Sequence, residues 1–308
     1  ACVALSYLVG FHWTVGNLAG VSETALQATL LRLAITAQSG TALTGLFVAF
    51  GFASFLLARM RDSRHGQAYA VGAAAVAVAG LVLVSYHGMV AGGTNAIRAA
   101  VLYAVYGAGS CILAAQRRDR GLAYLAVTLG AAAPLWAFWA TTGAITPALA
   151  TLLAGEAMFC GSLLCYRLAT NREMLIRTIH GAVSLEKCQP WAPACGIEIF
   201  RQPLWAVSEL LGLASMVVWL MTSLQHPDAI GYACAPVATM GLLTVFYFAR
   251  TWLGGSGVYT WLGSLVLLAG FTHTLVLNFE GLVQEPWLIA LLTHATFALT
   301  TALAVDGV

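Results

Sequence analysis

The chain has 308 residues, of which 60% are hydrophobic and only 8% charged, and its mean hydropathy is +0.84. A soluble fold needs far more polar surface than this, so the composition defines a polytopic integral membrane protein whose first partner is the lipid bilayer. A net charge of +2 excludes a broad nucleic-acid-binding surface, and the rich Gly and Ala usage excludes a coiled coil or a disordered tail.

Apolar runs bounded by charge, proline or polar clusters predict about ten transmembrane helices, near residues 1–20, 41–60, 67–88, 97–116, 121–142, 146–168, 203–223, 228–249, 257–278 and 286–305. The expected fold class is all-α, a helical bundle forming one transmembrane domain over 1–308. Lipid obliges a backbone to satisfy its own hydrogen bonds, and these runs lack the alternation of a barrel strand. The first run holds His12 and a G-x-x-x-G, Gly16 with Gly20, suited to close helix approach. No charged segment precedes that run, so a cleavable signal peptide is not expected. Residues 21–40 begin with a capping cluster, Ser22, Glu23 and Thr24, but offer only ~14 apolar-rich positions around Arg32 and predict an interfacial helix on the outer face.

The next two hairpins, 41–88 and 97–142, read as a parallel tandem repeat. LFVAFGFASFLLARMRDSRHGQAY aligns with LYAVYGAGSCILAAQRRDRGLAY, matching Gly51 with Gly107, Ser54 with Ser110, Arg61 with Arg117 and Arg64 with Arg120. His87 lies at the outer end of the first copy, and Pro134 interrupts the second.

Glu156 follows in the span 146–168, roughly 15 Å deep at 1.5 Å per residue. It is too deep to snorkel. An ionised carboxylate at that depth costs several kcal/mol, so Glu156 is expected to be protonated, paired with a cation or facing water, and to serve as a proton- or ion-binding group. The structural alternative is a protonated Glu hydrogen-bonded to a neighbouring helix.

Residues 169–202 carry charge at both ends and are expected to form a cytoplasmic loop with no second span. Cys188 and Cys195 flank QPWAPA there, and with His180 they make a weak metal-ligand set, because six intervening residues is not the C-x2-C spacing of zinc sites. Glu209, a second proton- or ion-binding candidate, lies about one and a half turns inside the next span, close enough to reach interfacial water. Pro236, His273 and His294 fall in the last three spans. Trp136, Trp139, Trp205, Trp219, Trp252 and Trp287 lie near helix ends and read as interfacial anchors.

Orientation follows from the cations. Placing residues 61–66 in the cytoplasm puts twelve of the fourteen Lys and Arg residues on that side and leaves only Arg32 and Arg98 outside. Both termini are then cytoplasmic, and the basic turns fit a bacterial inner membrane. His12, His87, His273 and His294 all come to the outer half of the bilayer, as a set able to ligate haem or chlorin, bind quinone or relay protons if they converge.

Absences narrow the chemistry. The chain has no P-loop, no dinucleotide fingerprint and no H-E-x-x-H, and its sole lysine, Lys187, lies in a loop, which excludes a retinal Schiff base. Catalysis of its own is not expected. The leading expectation is a proton- or ion-coupled small-solute transporter built on Glu156. The rival is a non-catalytic, membrane-embedded subunit of a respiratory or photosynthetic type of complex. Its small residues, few charges and abundant Trp would pack against membrane-protein partners or other copies of itself, and the outer-half histidines would hold a haem, chlorin or quinone.

Overall fold

A computed structural model describes residues 2–60, 63–180, 194–225, 234–254, 257–278 and 285–306. The side chains of 58, 63, 116–117, 165–180, 194–198, 223–225, 234, 252–254, 277–278 and 301–306 lie outside that description. Every element among the described residues is helical. In chain order these are α1 (Cys2–Thr14), α2 (Glu23–Ala34), α3 (Ala37–Arg59), α4 (Ser63–Ala91), α5 (Gly93–Arg117), α6 (Arg120–Thr142), α7 (Pro147–His180), α8 (Ala194–Gln225), α9 (Cys234–Gly254), α10 (Gly257–Asn278) and α11 (Pro286–Asp306). Seven of them, α3 to α8 and α10, are long and apolar enough to cross a bilayer, which fits a multi-pass membrane protein. Large apolar side chains such as Phe52, Val78, Val82, Leu210, Trp261 and Leu265 are exposed, as lipid-facing residues must be.

The helices begin and end where their local chemistry dictates. The run expected over 1–20 is helical only to Thr14, because Gly16 (φ 82°) and Gly20 (φ 75°) take left-handed backbone in the turn that follows. A Cβ on either glycine would meet nothing within 4 Å, so these two residues shape a turn and do not form the helix contact expected of G-x-x-x-G. Asp119 starts α6, its Oδ1 accepting the N–H of Gly121 (2.7 Å) and of Leu122 (3.2 Å). Pro147 opens α7, where a missing N–H costs nothing. Helix α6 runs on through Pro134, and Pro236 lies in the first described turn of α9. Residues 169–202, expected as a loop, contain the last turns of α7 and the first of α8.

The chain forms two compact units. The first comprises Ala1–Leu113 and Thr128–Ala144. Its core joins Leu8 of α1 to Leu43 and Leu46 of α3 and Val76 of α4, and a second cluster joins Val84, Leu102, Tyr106 and Leu129. Helices α3 and α4 approach closely at two glycines: a Cβ on Gly80 would sit 3.1 Å from the Gly40 carbonyl oxygen, and one on Gly40 would sit 3.0 Å from that of Gly80. Hydrogen bonds reinforce the bundle, from Ser54 to the Gly66 carbonyl (2.7 Å) and from Tyr106 to Thr44 (3.1 Å). Helix α2, expected as an interfacial helix, has 12 residues and buries none of them.

The second unit comprises Ala114–Val127 and Ile145–Val308. In it α7 packs on α8 and α9, α9 on α10, and α10 on α11. Ala150, Ala154 and Ala157 of α7 are fully buried, which lets Leu243, Phe246 and Tyr247 of α9 fill the interior.

Candidate functional site

Glu156 belongs to the buried face of α7. It follows Leu153 by three residues and precedes Cys160 by four, and both of these are buried. The helix seams on either side of it are held by other residues. Ser215 of α8 donates to the Ala150 carbonyl (2.7 Å), and Thr151 donates to the Ala235 carbonyl of α9 (3.1 Å) and shares a hydrogen bond with Thr239 (2.9 Å). Glu156 takes no part. Both of its carboxyl oxygens are buried and have no hydrogen-bond partner among the described residues. The register set by Thr151 beside Thr239 and by Gly161 beside Phe246 brings the α9 turn containing Thr244 level with Glu156. The Thr244 hydroxyl is likewise buried without a partner.

Glu209 has a different environment. It lies one helical turn from Trp205 on α8, opposite Arg250 near the end of α9 and Tyr259 in the first turn of α10. Arg250 Nη2 donates to Glu209 Oε1 (2.6 Å), with the arginine 3% exposed and the glutamate 33%. Tyr259 donates its hydroxyl to the same oxygen. The Arg250 guanidinium lies over the Trp205 ring and 5.2 Å from the centroid of Tyr259, and Tyr247 stacks on Tyr259 at 6.5 Å. Arg250 Nε is buried and has no partner among the described residues. Glu209 is thus held in an ion pair among aromatic rings.

The four histidines have four separate surroundings. In the first unit His12 is 1% exposed and bonded at both ring nitrogens: Asn17 donates to Nδ1 (2.9 Å), and Nε2–H points to Ser39 Oγ (2.7 Å), whose own proton goes to the Leu33 carbonyl (2.5 Å). His87 Nε2 donates to the Ile35 carbonyl (2.6 Å), an acceptor left over at the end of α2. Both imidazoles therefore fasten the junction of α2 and α3. In the second unit His273 lies edge-on to Trp219 at 5.5 Å and His294 bonds Ser264 (2.8 Å), and the buried His273 Nε2 and His294 Nδ1 have no partner among the described residues. Ser264 precedes His273 by nine residues on α10, about 13 Å of helix rise, so His273 and His294 lie at different levels.

No group of three or more His, Cys, Asp or Glu side chains among the described residues is arranged to hold a metal ion. Cys188 and the side chains of Cys195 and His180 lie outside the described residues. Trp136, read as an anchor, packs inside the first unit against Tyr103 at 6.0 Å, whereas Trp287 is exposed. Sequence reasoning missed the Trp205–Arg250–Tyr259 cluster. Its traces were the four-residue step from Trp205 to Glu209 and a charged residue three positions after the buried Tyr247.

The seven long apolar helices fit a multi-pass membrane protein, and one of them, α7, carries a buried carboxyl group that has no hydrogen-bond partner among the described residues. No protein-family model, curated protein or solved structure matches the chain.

Proposed function

We propose that the protein is a proton- or ion-coupled carrier of a small solute, with Glu156 as the group that takes up and releases the coupling ion. The observation that carries this reading is the pair of buried Glu156 oxygens without a hydrogen-bond donor. A glutamate serving as helix glue would be bonded across a seam, and Ser215, Thr151 and Thr239 already do that work on α7. A buried, unsatisfied carboxyl is expensive, and a functional cycle that protonates it or pairs it with a cation gives a reason for its presence. The proposal takes ten spans, the parallel hairpin repeat and cytoplasmic termini in a bacterial inner membrane as its topology. The test is solute-driven proton flux in proteoliposomes containing the whole chain, with candidate amino acids, sugars and organic acids supplied in turn. Wild type should give flux that depends on pH, and Glu156→Gln should lose that dependence. Unchanged pH dependence in the variant would overturn the role of Glu156.

A second reading, a non-catalytic subunit holding a haem, chlorin or quinone, is favoured only by the free ring nitrogens of His273 and His294. His12 and His87 are committed to Ser39, Asn17 and Ile35. A visible absorption band in the purified protein that is lost in His273→Ala would favour this reading over the carrier.

A further inference from the structure

Beside the Glu209 cluster, α8 opens a cavity of about 390 Å³ lined by Arg201, Gln202 and Trp205. We propose that this cavity binds a phosphate-bearing anion, a phospholipid head group or a free phosphate ester. The described residues that line it fall at i, i+1 and i+4 of one helix, within a single arc of its surface. Pro203, buried between them, removes one backbone donor from that turn of α8.

The charge balance calls for an anion. Among the described side chains, two guanidiniums, Arg201 and Arg250, flank Trp205, and the one carboxylate, Glu209, is bound to Arg250 and Tyr259. Arg201 is exposed at the cavity and has no ion-pair or hydrogen-bond partner among the described residues. A guanidinium presents a planar fork of N–H donors that matches phosphate oxygens two at a time. The Gln202 amide adds donors of its own, and Trp205 supplies an indole N–H on a ring whose face is already covered by Arg250. A cavity of this size lies in the range of small-molecule sites. In the orientation set by the arginine bias, this end of α8 faces the cytoplasmic leaflet, at the depth of lipid phosphates. The site is independent of Glu156 and stands whether or not the carrier reading does.

The experiment is native mass spectrometry of the detergent-purified full chain, loaded with phosphatidylglycerol, phosphatidylcholine, glycerol phosphate or sodium phosphate. Wild type is expected to retain phosphatidylglycerol over phosphatidylcholine. Arg201→Gln should reduce that retention about tenfold or more, the loss of one charge-assisted bidentate contact. Arg32→Gln, a cation elsewhere in the chain, should leave it unchanged. Glycerol phosphate or inorganic phosphate bound with the same Arg201 dependence, and without lipid preference, would assign the site to a free phosphate. Equal retention of every probe by wild type and Arg201→Gln would overturn the proposal. Arg201→Lys separates charge from geometry: it keeps the cation but loses the fork, and retention between wild type and Arg201→Gln supports the site.

Discussion

Removing Glu209 should destabilise the second unit through the partner it abandons. Glu209→Ala takes the carboxylate from a guanidinium that is 3% exposed and that has no other anionic partner among the described residues. With charge centres about 4 Å apart, the attraction is about 4 kcal/mol at an effective dielectric of about 20, and about 1 kcal/mol in water. Glu209 is 33% exposed, so solvent screens part of the interaction. The expected loss is about 2–3 kcal/mol, of which the Tyr259 hydrogen bond contributes about 1. Glu209→Gln keeps an acceptor for both donors and should cost less.

The measurement is unfolding of the full chain in mixed dodecyl maltoside and SDS micelles, followed by circular dichroism, in a double-mutant cycle with Arg250→Met. Arg250→Met alone leaves Glu209 with Tyr259 and some water, a milder state than a stranded buried cation. Combining Glu209→Leu with Arg250→Met removes both charges, and this variant should be more stable than Glu209→Leu alone, because the buried charge no longer lacks a partner. The coupling energy should reach about 1.5–3 kcal/mol. A coupling below about 0.5 kcal/mol would refute the reasoning, since distant, independent sites add to within that margin.

Glu156→Leu should raise the unfolding free energy in the same assay by about 1 kcal/mol or more, because it removes a buried polar group with no partner among the described residues and breaks no bond seen there; a drop would mean that the carboxyl does hold a helix seam. Gly80→Ala should cost about 1–3 kcal/mol, since its Cβ would meet the Gly40 carbonyl oxygen at 3.1 Å. Gly51→Ala, where nothing lies within 4 Å, should be neutral or stabilise by up to about 1 kcal/mol.

Much of the fold was legible because hydropathy reports the solvent, and lipid leaves a chain few ways to fold. The basic turns at 59–64 and 117–120 fall where α3 gives way to α4 and α5 to α6. Glu156 stood out because a carboxylate in an uncharged run has no cheap explanation. What sequence missed depends on contacts between distant positions or on backbone shape. Arg250 read as one more cation at a span end, but it is buried against residues 205, 209 and 259, which no local spacing connects. Hydropathy scores Gly16 as ordinary filler and cannot register the left-handed backbone that ends α1. Trp136 looked like an interfacial anchor because its ring is amphipathic, yet Gly88 leaves it room to pack inward, where an added Cβ would meet the ring at 2.9 Å.

The distribution of unsatisfied polar atoms separates the two units more sharply than composition does. Among the described residues, the buried side-chain atoms without partners belong to Thr146, Glu156, Trp219, Thr244, Arg250, His273 and His294, and all seven residues lie in the second unit. In the first unit the buried polar groups close on themselves, as in the run from Asn17 through His12 and Ser39 to the Leu33 carbonyl. Each orphaned group costs about 1–3 kcal/mol, and a fold under selection for stability alone would replace several of them with apolar residues. Their concentration around α7 to α11 is what a chain that moves protons, ions or polar solutes through that unit would retain. It also sets a stricter condition on the carrier proposal: stabilising apolar replacements at Glu156 and Thr244 should reduce transport, whereas equally stabilising changes in the first unit should leave it intact.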